Sequence, residues 1–182
     1  IEAHLKNIDN ELAKILKKAG IKLIYVGIES AIEEVRKDAK RTSDTNENQI
    51  EKVKYLEKNG IRVKSMYIIG MPADTEDTFK KTVDYAKKIN SSYAQFSVFT
   101  PYPGTPVFNE YKDKITKNKY EDFTQWQLVF RHQNLTEKDV LYLLNYSYKE
   151  YYSNHKWAIR FLFNKIKDFY ENLHNRLFGF SR

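Results

Sequence analysis

The stretch 60-GIRVKSMYIIGMPADTEDT-78 decides how this chain is read. Gly60 closes what precedes it, and Ile61 to Ile69 is a run of alternating apolar residues that reads as a strand. Gly70-Met71-Pro72 breaks that run, and Asp74-Thr75 supplies the acceptor that opens a helix. A strand that turns at once into a helix is half of a crossover unit. Two readings of Gly70-Met71-Pro72 stay open on these residues alone. One is the ordinary punctuation of a strand-to-helix turn; the other is the floor of a ligand site, where glycine admits a flat ring close to the backbone.

Working outward, the same alternation recurs. Asp9 to Ala19 reads as a helix with Leu12, Ile15 and Leu16 on its apolar face and Gly20 as its stop. Ile21 to Ile28 reads as a buried strand, followed by a polar stretch to Lys40-Arg41. Asp44 to Glu47 has capping-box spacing and opens a helix bearing Ile50, Val53, Tyr55 and Leu56. Downstream, Thr75 to Ile89 is helical with Phe79, Val83 and Ala86 inward, and Tyr93 to Phe99 is a third strand. The order α-β-α-β-α-β, with helices long enough for crossovers, predicts an α/β fold with a parallel sheet.

After Pro106 the pattern changes. Residues 107–131 read as irregular and aromatic-rich; Thr136 with Asp139 then caps a helix, with Leu135 and Val140 placed as a hydrophobic staple. His155 to Phe178 reads as an amphipathic helix with Ile159, Leu162, Phe163, Ile166, Phe169, Tyr170 and Leu173 on one stripe. With Lys156, Arg160, Lys167 and Arg176 on its other side it could meet a membrane surface or a partner helix, but the expectation is that this stripe packs on the domain. Residues 1–106 and 107–182 are accordingly taken as two parts.

Composition narrows the function classes. The 182 residues fit one domain with an appendage, and 41% hydrophobic with 15% aromatic content supports a packed core. No apolar run approaches the ~18 residues of a membrane span, and no basic-then-apolar leader opens the chain. Cysteine is absent, which excludes thiolate metal sites, a cysteine nucleophile and a cysteine-held cluster within these residues. The net charge of +7 permits anionic partners without choosing one. His4, His132, His155 and His174 lack metal-ligand spacing, and neither a phosphate-binding glycine motif nor a serine triad pattern is present.

Ligands of parallel α/β sheets sit at the carboxyl ends of the strands. The first such end is Gly27-Ile28-Glu29-Ser30, where an ionised carboxylate accepts from hydroxyls or an amino group. The second is Ile69-Gly70-Met71-Pro72. The third, Thr100-Pro101-Tyr102-Pro103-Gly104-Thr105-Pro106, is a loop stiffened by three prolines that can wall a pocket. Arg41 is a candidate anchor for a carboxylate or phosphate.

Taken in order, "VGIES", Arg41, "GIRVKSMYIIGMPADTEDT" and "AQFSVFTPYPGTPVF" resemble the C-terminal half of radical S-adenosylmethionine enzymes, closest to those with a cobalamin-binding domain. The resemblance implies a parallel (β/α) partial-barrel fragment, holding the last three strands, with a C-terminal helical extension. It implies S-adenosylmethionine across the strand ends, with Glu29 and Ser30 at its ribose or amino-acid part and Arg41 at its carboxylate. Ile69, Gly70, Met71 and Pro72 then flank adenine, and Tyr102 and Gly104 face substrate. Ala31 and Ala73 stand where the pattern of that group has glycine. Its CxxxCxxC loop is missing, so the 4Fe–4S cluster, and cobalamin with it, belongs to the full-length protein. This chain alone is then inactive, and its partner is the missing N-terminal half. A start at Ile1 fits a piece of something longer. The cluster implies the cytoplasm. An open parallel edge on the Ile21–Ile28 side invites self-association. The alternative reading is a non-enzymatic basic module on nucleic acid or anionic membrane.

Overall fold

The computed structural model describes residues 1–38 and 46–178. In chain order the elements are β1 (Glu2–Ala3), α1 (Asn10–Lys18), β2 (Leu23–Glu29), α2 (Glu33–Asp38) and α3 (Asn46–Lys58). Then follow β3 (Arg62–Ile69), α4 (Glu76–Ile89), β4 (Tyr93–Val98), α5 (Pro106–Tyr111), α6 (Glu137–Tyr152) and α7 (His155–Phe178). The four strands form one parallel sheet in the order β1-β2-β3-β4. It is an open sheet, an α/β partial barrel as the crossover pattern requires. The strand count differs from expectation by β1, whose two residues pair with Tyr25 and Val26 and cover part of the β2 edge.

Local chemistry sets the boundaries. Asp9 accepts from Leu12 N at 2.8 Å to start α1. Thr75 caps α4 and exchanges side-chain and backbone bonds with Thr78 in a capping box. Thr136 and Asp139 do the same for α6, with Leu135 and Val140 both buried beside them. The proposed Asp44 cap lies outside the described residues. In α1 the buried side chain is Ala13, whereas Ile15 is 60% exposed. The expected Leu12–Ile15–Leu16 face is therefore rotated toward Ala13.

The strands alternate strictly. Along β3, Val63, Ser65, Tyr67 and Ile69 are buried while Arg62, Lys64, Met66 and Ile68 are half-buried. β2 and β4 repeat the alternation. The apolar run in β2 predicts burial on both faces, yet only one face is fully covered. Helices pack on that face alone, as on the outside of a barrel, and the other face stays open.

The far edge of the sheet is closed chemically. Ala94, Phe96 and Val98 turn their peptide groups away from β3. Tyr152 Oη accepts from Ala94 N at 3.0 Å and donates to Ala94 O at 2.7 Å. Tyr148 Oη does the same for Phe96, at 3.2 and 3.0 Å, and Gln125 O accepts from Val98 N at 2.7 Å. A helix thus satisfies a strand edge that a further strand fills in a closed barrel.

α7 differs most from expectation. Its inward stripe is Trp157, Arg160, Asn164 and Asp168, and the apolar stripe faces outward. Arg160 pairs with Glu57 and bonds Asn90 Oδ1 at 3.1 Å; Trp157 Nε1 donates to Ser92 O at 3.1 Å. Asp168 pairs with Arg62. Buried backbone and carboxylate partners need donors, so the polar face wins the contact.

Candidate functional site

Glu29, Ile69 and Val98 end three parallel strands and so lie at one end of the sheet. Glu29 is the most distinctive. A register shift between Gly27 and Glu29 kinks β2, and Glu29 takes a φ of 69°. Left-handed backbone in a residue with a side chain costs about 1–3 kcal/mol and concentrates at functional sites. Its carboxylate folds back over Gly27, where an added Cβ would lie 2.6 Å from Oε1. Glycine at 27 is what lets the carboxylate lie there.

Side chains on the open face form cross-strand rows. Tyr25, Lys64 and Tyr93 make one row, with Lys64 Nζ 5.1 Å from the Tyr25 ring centroid. Gly27, Met66 and Gln95 make the next, and Ile68 pairs with Ser97 nearest the strand ends. Gln95 and Ser97 were not singled out from sequence, although their parity with Met66 and Ile68 marks them.

Ser30 is buried at the turn after β2. Its hydroxyl meets Thr82 Oγ1 at 3.0 Å and accepts from Ile32 N at 3.2 Å, which ties the turn to α4. Arg36, also buried and missed in the sequence, donates to Ser30 O. Arg41 lies outside the described residues.

The second strand end is turned into the protein. Gly70 takes a φ of 70°. Ile69 and Met71 side chains are wholly buried, and Ile69 O accepts from Phe99 N at 2.7 Å. Asp74, 1% exposed, accepts from Met71 N and from Thr78 Oγ1, each at 3.0 Å. His132 Nε2 contacts Met71 O at 2.8 Å, while its Nδ1 accepts from Asn134 N and Leu135 N. Two donors on Nδ1 fix the tautomer: Nε2 carries the proton and donates to Met71 O. Gln133 Nε2 donates to Pro72 O at 3.1 Å. These bonds pin the loop from the helix side. Ala73 has no positive φ, so alanine fits there without strain.

Burial raises the Asp74 carboxyl to about 6, against the bonds from Thr78 and Met71 that lower it. The folded state thus holds this proton more tightly than the unfolded chain. Its contribution is fully present below about pH 4 and is lost as pH rises through 6, by about 3 kcal/mol. Asp74→Asn removes this slope and adds a pH-independent cost for the lost acceptor. In urea unfolding, the variant should gain on the parent by about 2–3 kcal/mol between pH 4 and pH 7. Parallel profiles contradict the assignment. His132 is lowered, chiefly by burial, so its contribution is lost as pH falls below 6.5; it is common to both proteins.

At the third end, Thr105 N and Oγ1 both donate to Tyr102 O, closing a turn with Gly104 at φ 87°. Thr105 then caps α5, with Pro106 in its first turn. Tyr102 is exposed and Gly104 has open space around it.

This is the architecture of an incomplete parallel (β/α) barrel, a class in which ligands meet the carboxyl ends of the strands. Residues 2–86 match the family model of the Radical SAM superfamily. It is 29% identical over 164 residues to the uncharacterized methyltransferase PH0819 of Pyrococcus horikoshii, covering 88% of this chain and 35% of that protein. It is 26% identical over 169 residues to bacteriochlorophyllide d C-12(1)-methyltransferase of Chlorobaculum tepidum, covering 86% and 37%. The chain thus spans about a third of the length of these relatives. Among solved structures it resembles the radical S-adenosylmethionine methyltransferase TsrM of Kitasatospora setae, with cobalamin and a 4Fe–4S cluster bound. The TM-score is 0.56 at 24% identity, over 62% of this chain and 21% of that one.

The Radical SAM match implies S-adenosylmethionine and a 4Fe–4S cluster as cofactors. The strand ends fit the first: the Glu29 carboxylate, laid over Gly27 beside an open face, suits a ligand with hydroxyl and ammonium groups. They do not fit the second. The sequence has no cysteine, and the described residues hold no cluster of metal-ligating side chains. Among the described residues, no helix is long and apolar enough to cross a membrane.

Proposed function

We propose that this chain is the C-terminal part of a radical S-adenosylmethionine methyltransferase that uses cobalamin. The observation that carries the cofactor reading is the strained Glu29, held over Gly27 at the open strand end. The methyltransferase names of both relatives and the cobalamin in TsrM support the reaction class.

Here Glu29 accepts hydrogen bonds from the ribose or the methionyl ammonium, and Arg41 pairs with the methionyl carboxylate. Ser30 and Arg36 hold the turn that presents Glu29. The bonded backbone of Ile69 to Pro72 stiffens the adenine side, while Tyr102 and Gly104 wall the substrate side. The bound cofactor supplies the sulfonium carbon bonds to be broken. The cluster thiolates come from sequence other than these 182 residues, and the chain alone is inactive. The cluster's sensitivity to oxygen favours the cytoplasm.

The test uses the full-length enzyme, reconstituted anaerobically. Glu29→Gln should weaken S-adenosylmethionine binding about tenfold or more, since a charge-assisted bond becomes a neutral one. Circular dichroism should be unchanged. Unaltered affinity removes Glu29 from the site. A full-length protein without cluster absorbance or 5′-deoxyadenosine formation overturns the enzyme reading.

A further inference from the structure

α7 presents an unpartnered apolar face. Ile159, Leu162, Phe163, Ile166 and Phe169 point outward, with Phe163 71% exposed, and Tyr170 and Leu173 extend the same stripe. Its contacts with Arg62, Asn90 and Ser92 place the helix under the amino ends of β3 and β4. That is the end of the sheet opposite Glu29, so the stripe is no part of the cofactor site.

Charge selects the occupant. Exposed Lys156 lies along one margin of the stripe and Lys165 along the other, by helical spacing. Asp168 is turned inward onto Arg62, so the described side chains leave no carboxylate on the outward face. A cleft of about 360 Å³ behind the helix is lined by Lys17, Lys22, Arg62, Arg160 and Lys167, against Glu57 and Asp168. Both of those acids are already paired with Arg160 and Arg62. A second copy on this face would set lysine margins against each other in a chain of net charge +7. A nucleic acid has no use for the apolar stripe. An apolar arc edged by lysines matches the boundary between acyl chains and anionic headgroups.

We propose that α7 docks this protein in the plane of an anionic bilayer, its apolar stripe buried in the headgroup–acyl boundary. The test uses the full chain with vesicles of phosphatidylcholine, alone or with about one-third phosphatidylglycerol. Sedimentation with the anionic vesicles is expected, together with at least about tenfold weaker binding to neutral ones or in high salt. Leu162→Glu with Phe163→Glu should abolish it; both side chains are solvent-exposed, so the fold survives. Because the sequence lacks cysteine, Phe163→Cys carrying an environment-sensitive dye should shift blue on anionic vesicles, and Tyr120→Cys should not. Failure to sediment with anionic vesicles overturns the proposal. So does a dimer that the double substitution dissociates, or salt-sensitive RNA binding without vesicle binding.

Discussion

Replacing Tyr148 and Tyr152 together by phenylalanine should destabilise the protein by about 4–6 kcal/mol, the largest effect we expect from losing two atoms. Each hydroxyl serves both peptide groups of one β4 residue, so the pair strands two N–H and two C=O groups. An unsatisfied buried group costs about 1–3 kcal/mol, and the half-exposure of these tyrosines keeps the sum at the lower end. Burial raises both phenols, so they stay protonated and able to donate across the physiological range. The rings remain in the variant, including the edge-to-face contact of Tyr152 with Trp157 at 4.7 Å, so packing is spared. Urea unfolding measures the loss, with about half of it for each single substitution. Because a bared edge recruits strands, sedimentation velocity should also show self-association of the double variant. A cost below about 1 kcal/mol would show that water replaces the phenols freely.

Those tyrosines also mark where sequence reading stops. The crossover order was legible because apolar runs and helical spacings alternate locally between Asp9 and Phe99. β1 was not, since a two-residue strand has no pattern of its own and exists through Tyr25 and Val26. α5 was missed in a stretch read as irregular, though Thr105-Pro106 is a helix start in plain view. At the site, the Gly27–Glu29 end was legible as a carboxylate at a strand terminus. Its folded-back pose is a backbone fact that no spacing encodes. Ile69 and Met71 are read from sequence as backbone that flanks adenine, with no direction assigned to their side chains, which are buried. The signal was available in β3: Ile69 shares parity with the buried Val63, Ser65 and Tyr67, whereas Met66 and Ile68 share the open face. His132 and Asp74, which pin that loop, lie on segments that meet only in the fold.

Arg160→Ala should cost about 3–5 kcal/mol and release α7 from the sheet. Its guanidinium bonds Glu57, Asn90 Oδ1 and Ser91 O, gathering three segments that are remote in sequence. Glu57 in turn accepts from Ser92 N, so its carboxylate stays fixed beneath β4 when the arginine is gone. The two side chains are only 23% and 15% exposed, which leaves that charge poorly solvated. Loss of an exposed surface pair would cost no more than about 1 kcal/mol, so the size of the effect separates the two cases. Amide exchange should rise along α7 while β2 and β3 stay protected, because Trp157 and the Asp168–Arg62 pair are then left to anchor the helix without its bond to α3. Arg160→Lys should recover little, since one ammonium cannot span three acceptors held by a planar fork. The outward stripe gives the result a second reading. Apart from Trp157, whose ring packs on Tyr152, the docked face of α7 is polar, so undocking it exposes little new core from the helix itself. A variant that unfolds globally at the same midpoint as the parent contradicts this account of how the helix is held.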